Sequence, residues 1–160
     1  MANELESEPT NHERWMREAL ILAEQAANAD EVPVGAIVVQ NGKIIGRGYN
    51  QPIRSCDATA HAEIVAIRSA SKFCNNYRLP GTILYVTIEP CTMCLGAMIH
   101  ARVDTLVFGA TEPRAGAVVS QGSLIEAGHF NHQMSFVDGV LAEECSSLMQ
   151  SFFRNRRKAN

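Results

Sequence analysis

No run of residues in this chain reaches the apolar length that crosses a membrane. Its start, Met1-Ala2-Asn3-Glu4-Leu5-Glu6, is acidic where a secretory signal is basic and then apolar. Both absences predict a cytoplasmic protein without membrane contact. Cysteine is sparse and odd in number, five in all, and Cys56, Cys74 and Cys145 suggest no disulfide plan, as expected where thiols stay reduced. A surplus of positive charge is also lacking. The net charge of −3 argues against avid, nonspecific nucleic-acid binding, which rests on phosphate neutralisation by Lys and Arg. Internal repeats and a domain linker are missing too. The 160 residues, 46% hydrophobic, suit one compact domain over 12–160 behind an untethered polar tail, residues 1–11.

What the chain does contain is His61-Ala62-Glu63 and, one helix and one strand later, Pro90-Cys91-Thr92-Met93-Cys94. One imidazole and two thiolates are three good ligands for Zn²⁺, and three protein ligands leave a tetrahedral metal one position for water. Residues two apart in mid-helix point to nearly opposite sides, so His61 and Glu63 share a site only at a helix start. Asp57 and Thr59 offer N-cap oxygens for such a start, and Ala62 to Ala70 continue as an apolar helix. Cys91 and Cys94, three apart, lie on one helical face, with Pro90 suited to that helix's first turn. A helix N-terminus also lowers thiol pKa and favours the thiolates that zinc needs.

Each piece has a plainer reading. A lone C-x-x-C is a redox pair or half of a structural zinc knuckle, and a lone histidine at an apolar helix start is a core residue. Cys56 is a rival fourth ligand, which would make the zinc structural. The order of the pieces, with a carboxylate inside the histidine motif, favours catalysis. Glu89 is expected to be structural, bonding backbone near the cysteine turn. His100, His129 and His132 lack ligand spacing to the cysteines.

Coarse periodicity places the rest. Trp15, Ala19, Leu22, Ala23 and Ala26 recur at helical spacing in a first helix ending near Asn28. Gly35–Gln40 and Lys43–Tyr49 flank Asn41-Gly42, a strong hairpin signal. Strands over 83–87 and 105–108 alternate with the His/Glu and cysteine helices, which implies parallel pairing beside the antiparallel hairpin and helices on both faces. Residues 109–133 are expected to cross the surface near the site mouth, before a strand at 135–137 and a helix from about Leu141 to Arg156. At the end, Phe152-Phe153 precede Arg154, Arg156, Arg157 and Lys158. Cations beside exposed aromatics suit single-stranded RNA, but a solvated helix end over core phenylalanines explains the same residues.

The pair H-x-E…P-C-x-x-C is the signature of zinc-dependent base deaminases. Together with Glu31-Val32-Pro33-Val34-Gly35-Ala36, Gly48-Tyr49-Asn50, Thr59-Ala60, Phe108-Gly109-Ala110, Asn131-His132 and Phe152-Phe153-Arg154, it makes the chain from about Trp15 to Lys158 resemble the cytidine-deaminase-like superfamily and, within it, the bacterial tRNA-specific adenosine deaminases. The resemblance implies a three-layer α/β/α cytidine-deaminase-like fold with a mixed sheet of about five strands. It implies hydrolytic conversion of adenosine to inosine at the wobble position of a tRNA anticodon, in a homodimer with one zinc per subunit. The ligands would be His61, Cys91 and Cys94, with Glu63 the proton shuttle. Asn50, the backbone of Ala62, and Val32 would hold the flipped adenine. Glu112, Asn131, Phe153, Arg154 and Arg157 would meet the anticodon stem-loop. The family's usual aspartate is Glu112 here, one methylene longer, and Ala58 stands where a proline is common. A deaminase of small substrates, or a noncatalytic RNA-binding module with structural zinc, are the rival functions.

Overall fold

Three strands carry the core because nearly every residue in them is buried: β1 (Gly35–Gln40), β3 (Thr82–Ile88) and β4 (Thr105–Ala110). A strand buried on both faces needs helices on both. The computed structural model, which describes residues 4–127 and 130–159, supplies them. Ala36, Val38, Leu84, Val86, Leu106 and Phe108 point into one apolar cluster, while Ile37, Val39, Tyr85 and Val107 point into the other. That alternation follows from the two-residue period of a strand. Helices α3 (Ala62–Cys74) and α4 (Thr92–His100) close the first cluster, and α1 (Glu4–Asn28) and α5 (Ala142–Ala159) close the second. Full burial of side chains such as Leu84, Leu106 or Phe108 contributes roughly 1.5–3 kcal/mol each.

The sheet is mixed, in the order β2-β1-β3-β4-β5, with β2 at Lys43–Tyr49 and β5 at Ser135–Val137. β1 runs antiparallel to β2 and β3, while β3, β4 and β5 run parallel. Asn41 and Gly42 both adopt left-handed φ, 52° and 73°, the turn that Asn-Gly favours in a two-residue hairpin. Registers Gly35↔Tyr49, Ala36↔Val86 and Ile88↔Ala110 bring the start of β1 and the ends of β2, β3 and β4 to one sheet edge. Every segment that leaves this edge carries a candidate site residue.

Helix α3 sits directly on β2 because both surfaces are small. Ala62, Ala66 and Ala70, four apart and fully buried, face Gly46 and Gly48. A Cβ on either glycine would fall 2.4 Å from a carbonyl oxygen of α3.

Helix α1 begins at Glu4. A short helix, α2 (Pro52–Ser55), occupies part of the loop after Asn50, with Pro at its start, where its missing N–H costs nothing. The chain after β4 does not simply cross the surface: Ala117 and Val118 turn inward and join the core. No described helix is long and apolar enough to cross a membrane.

Candidate metal centre and active site

His61 is itself the N-cap of α3, with extended dihedrals of −69° and 154°, and Cys91 is the N-cap of α4, at −79° and 174°. An N-cap side chain leaves the helix end rather than joining a helical face, which lets both reach the space in front of the two helices. Asp57 and Thr59 were expected to cap α3, but they form a turn ahead of it. Asp57 Oδ1 accepts from Thr59 N at 2.9 Å and from Thr59 Oγ1 at 2.7 Å. Glu63 follows as the second helical residue, so the three-residue motif wraps the helix start, as its spacing requires.

The donors converge. His61 Nδ1 lies 3.4 Å from Cys94 Sγ and 3.7 Å from Cys91 Sγ, and the three ligand atoms all lie within 4.8 Å of one another. Tetrahedral zinc with N at about 2.05 Å and S at about 2.3 Å places these atoms about 3.6 Å apart, midway between the two distances. The geometry therefore fits zinc. The charges agree. Cys91 is held down to about 4, first by the hydrogen bond from Cys94, while that same bond and then burial push the Cys94 thiol up. Burial also pushes up the carboxyl of Glu63, only 4% exposed. Without a cation the cluster keeps one thiol protonated, whereas a dication releases both thiolates.

A cavity of about 250 Å³ stands over these donors, lined by Val32, Asn50, His61, Glu63, Cys91 and Glu112 among others. It is the size of a pocket for one small planar group, not for a folded strand. A larger cavity of about 690 Å³ adjoins it through the shared residues Val32, Glu112 and Met149, and is lined also by Arg114, Gln150, Phe153, Arg154 and Arg157. The metal donors and the basic end of α5 thus border one continuous approach.

The structure does not bring every expected residue there. Ala62 is buried beneath the donors and lines neither cavity, although its amide opens α3, where helix geometry leaves the first N–H groups without intrahelical partners. Asn131 is exposed and also lines neither. Arg156 faces away: its Nη2 donates to Asp30 O at 2.9 Å, and its guanidinium covers Phe152. Phe153 is exposed rather than core. His132 Nε2 bonds Val103 O, His100 is an exposed helix end, and His129 lies outside the described residues. Cys56 is exposed at the C-terminus of α2 and outside the metal cluster, and Cys145 is buried.

The profile of the cytidine and deoxycytidylate deaminase zinc-binding region matches residues 9–110, which span both motifs. The chain is 48% identical to a tRNA-specific adenosine deaminase of Haemophilus influenzae over 91% of its own length and 85% of the relative's. The chain belongs to this deaminase family. It is 44% identical to the Bacillus subtilis tRNA-specific adenosine deaminase, covering 93% and 92% of the two chains. Among solved structures, one from a study of A-to-I editing by tRNA:A34 deaminases at the wobble position superposes with a TM-score of 0.82 at 40% identity, covering 84% of this chain and 98% of the other. The fold is the family's α/β/α sandwich, and the family's cofactor, zinc, fits the donor set described above.

Sequence reasoning missed Glu31, one of two buried acidic residues that build the walls. Glu31, 1% exposed, accepts from the amides of Ile53 and Arg54 and so holds α2 against the segment before β1. Glu89 is structural and bonds backbone as expected, but the amides it gathers are those of residues 112–120 rather than of the cysteine turn. The available signal was an acid in an otherwise apolar stretch, a residue type almost never fully buried unless partnered.

Proposed function

We infer that this chain hydrolyses adenosine to inosine at the wobble position of a tRNA anticodon, releasing ammonia, as a homodimer with one zinc per subunit in the cytoplasm. The observation that carries this reading is the continuity of the two cavities. A pocket sized for one base, lined by Glu63 and the metal donors His61 and Cys91, opens into a trough lined by Arg114, Arg154, Arg157 and Phe153. A base attached to RNA must be extruded to reach such a pocket, while its backbone stays outside against cations and an aromatic face.

His61, Cys91 and Cys94 would hold the zinc. Bound zinc lowers the pKa of a coordinated water to about 7 and so supplies a hydrolytic nucleophile at neutral pH. Glu63 would take a proton from the attacking water and deliver it to a ring nitrogen of adenine as the oxygen adds to C6. Glu63, free again, would take the second proton from the oxygen now bonded to C6 and pass it to the exocyclic nitrogen as the C–N bond breaks, leaving the C6 carbonyl of inosine and releasing ammonia. Asn50 and Val32 line the same pocket and orient the base there. Glu112 lines both cavities and stands where base and backbone part. Asn131, exposed ahead of β5, and the Ala62 amide remain contacts expected from the family alone.

Ile53, Met93 and Val119 are exposed apolar side chains on three segments that border the site. Such surface supports self-association, which sedimentation of the zinc-loaded chain would measure.

The decisive experiment supplies the chain with tRNA carrying adenosine at the wobble position and, separately, with free adenosine, guanine and cytidine, and measures inosine and ammonia. Inosine in the tRNA only is the expected result. Turnover of the free compounds alone would replace this reading with that of a small-substrate deaminase.

A further inference from the structure

We propose that Glu89 is a positioning residue that fixes the substrate-facing loop, residues 111–120, to the metal turn, and that it governs how tightly RNA is held rather than how fast the bond breaks. This rests on the deaminase reading above. The carboxylate is 3% exposed and surrounded by donors. Oε1 accepts from Glu112 N at 3.0 Å, and Oε2 accepts from the amides of Val118, Val119 and Ser120 at 3.0, 2.8 and 3.0 Å. The Ser120 hydroxyl donates to Oε1 as well. Burial alone would push this carboxyl up, but the bonds from Ser120, Val119 and Glu112 together hold it below its usual range.

The main chain of the same residue is equally committed. Glu89 N donates to Ala110 O at 2.8 Å, and Ala117 N donates to Pro90 O at 2.9 Å. One residue further on, Cys91 begins α4 and presents a metal donor. The loop so held carries Glu112 and Ala115 into the inner cavity and Arg114 into the outer one. Gly116 closes over the carboxylate: a Cβ there would lie 2.3 Å from Cδ of Glu89 and 2.4 and 2.5 Å from its oxygens. Only glycine lets the loop pass this close. Glu89 borders the inner cavity, but both its carboxylate oxygens are taken by donors of the loop, so its effect reaches substrate through the loop.

Glu89→Gln tests this, because an amide offers one acceptor oxygen where the site presents donors to two. The zinc-loaded full chain is assayed with an anticodon stem-loop RNA. Zinc content of one per chain, faster amide hydrogen exchange at residues 112–120, and a KM raised by about tenfold to a hundredfold with kcat nearly unchanged are expected, since a loosened loop loses binding that ground and transition states share. Gly116→Ala should give the same split with Glu89 intact, and the double variant should be no worse than the worse single variant. Glu89→Asp, which keeps the charge, should recover part of the KM. Where Glu89→Gln does not fold, Ser120→Ala, lacking one hydroxyl, should shift KM and exchange in the same direction by less.

Wild-type KM in folded, zinc-loaded Glu89→Gln or Gly116→Ala would overturn the proposal, as would kcat and KM effects explained entirely by a smaller folded fraction. A wild-type chain that makes no inosine in RNA would defeat the deaminase reading instead. Exchange at 112–120 would still decide the role of Glu89: unchanged exchange in the variant would overturn it.

Discussion

The metal corner and helix α5 are built to different standards. At the corner, two helix starts, three strand ends and two buried glutamates constrain a few side chains, and His61, Glu63, Cys91 and Cys94 are half-buried or buried. Along α5, only Cys145 is buried among 18 residues, and the cationic end is exposed, with Arg156 resting on Asp30 O and Phe152. Chemistry that moves protons requires groups held to fractions of an ångström, whereas a phosphate backbone is met adequately by mobile cations. Damage at the corner should therefore abolish turnover, and damage on α5 should only weaken binding.

The sharpest contrast comes from His61→Ala. Removing the imidazole should strip the metal, taking zinc from one per chain to near none by elemental analysis and turnover with it. Glu63→Gln comes next. It should keep stoichiometric zinc and lose about 10²–10⁴-fold in kcat on anticodon stem-loop RNA, the usual span for a positioned proton donor and acceptor. A variant that retains most of its rate would reduce Glu63 to a helix-start carboxylate.

On α5 the effects should be smaller and of another kind. Phe153→Ala should cost about 1–3 kcal/mol of RNA affinity if one base stacks there, with kcat preserved. Arg154→Ala and Arg157→Ala should weaken binding to all sequences alike and each lower the slope of log affinity against log salt by about 1. Arg156→Ala, on the opposite side of the helix, should leave that slope unchanged, because its guanidinium is engaged by Asp30 O and Phe152. An equal loss of slope at all three arginines would erase the sidedness that separates the RNA face from the docked face. The smallest effect is expected of Cys56→Ser, which should leave zinc and rate untouched, since Cys56 is exposed and outside the donor cluster.

The same contrast explains what could be read from the sequence. The candidate donor cluster was legible because spacing and residue chemistry are local: H-x-E and C-x-x-C each lie within one turn. The hairpin was legible because Asn41-Gly42 dictates its own turn. The start of α3 was misplaced by two residues, since Asp57 spends its oxygen on Thr59 and so ends a turn rather than capping a helix. The inward course of residues 111–120 was invisible because its cause, Glu89, lies 23 to 31 residues away in sequence. On α5, charge counting placed four cations together, but helical spacing already separates them: Phe153, Arg154 and Arg157 share one side, while Phe152 and Arg156, four apart, share another. That signal was present in the sequence.

The central claim is a zinc with three protein donors and one position left for water. X-ray absorption at the zinc edge of the purified chain tests it most directly. The expected spectrum has two sulfurs at about 2.3 Å and two nitrogen or oxygen neighbours at about 2.0–2.1 Å. A third sulfur in the shell, or a chain that binds no zinc, would contradict the account.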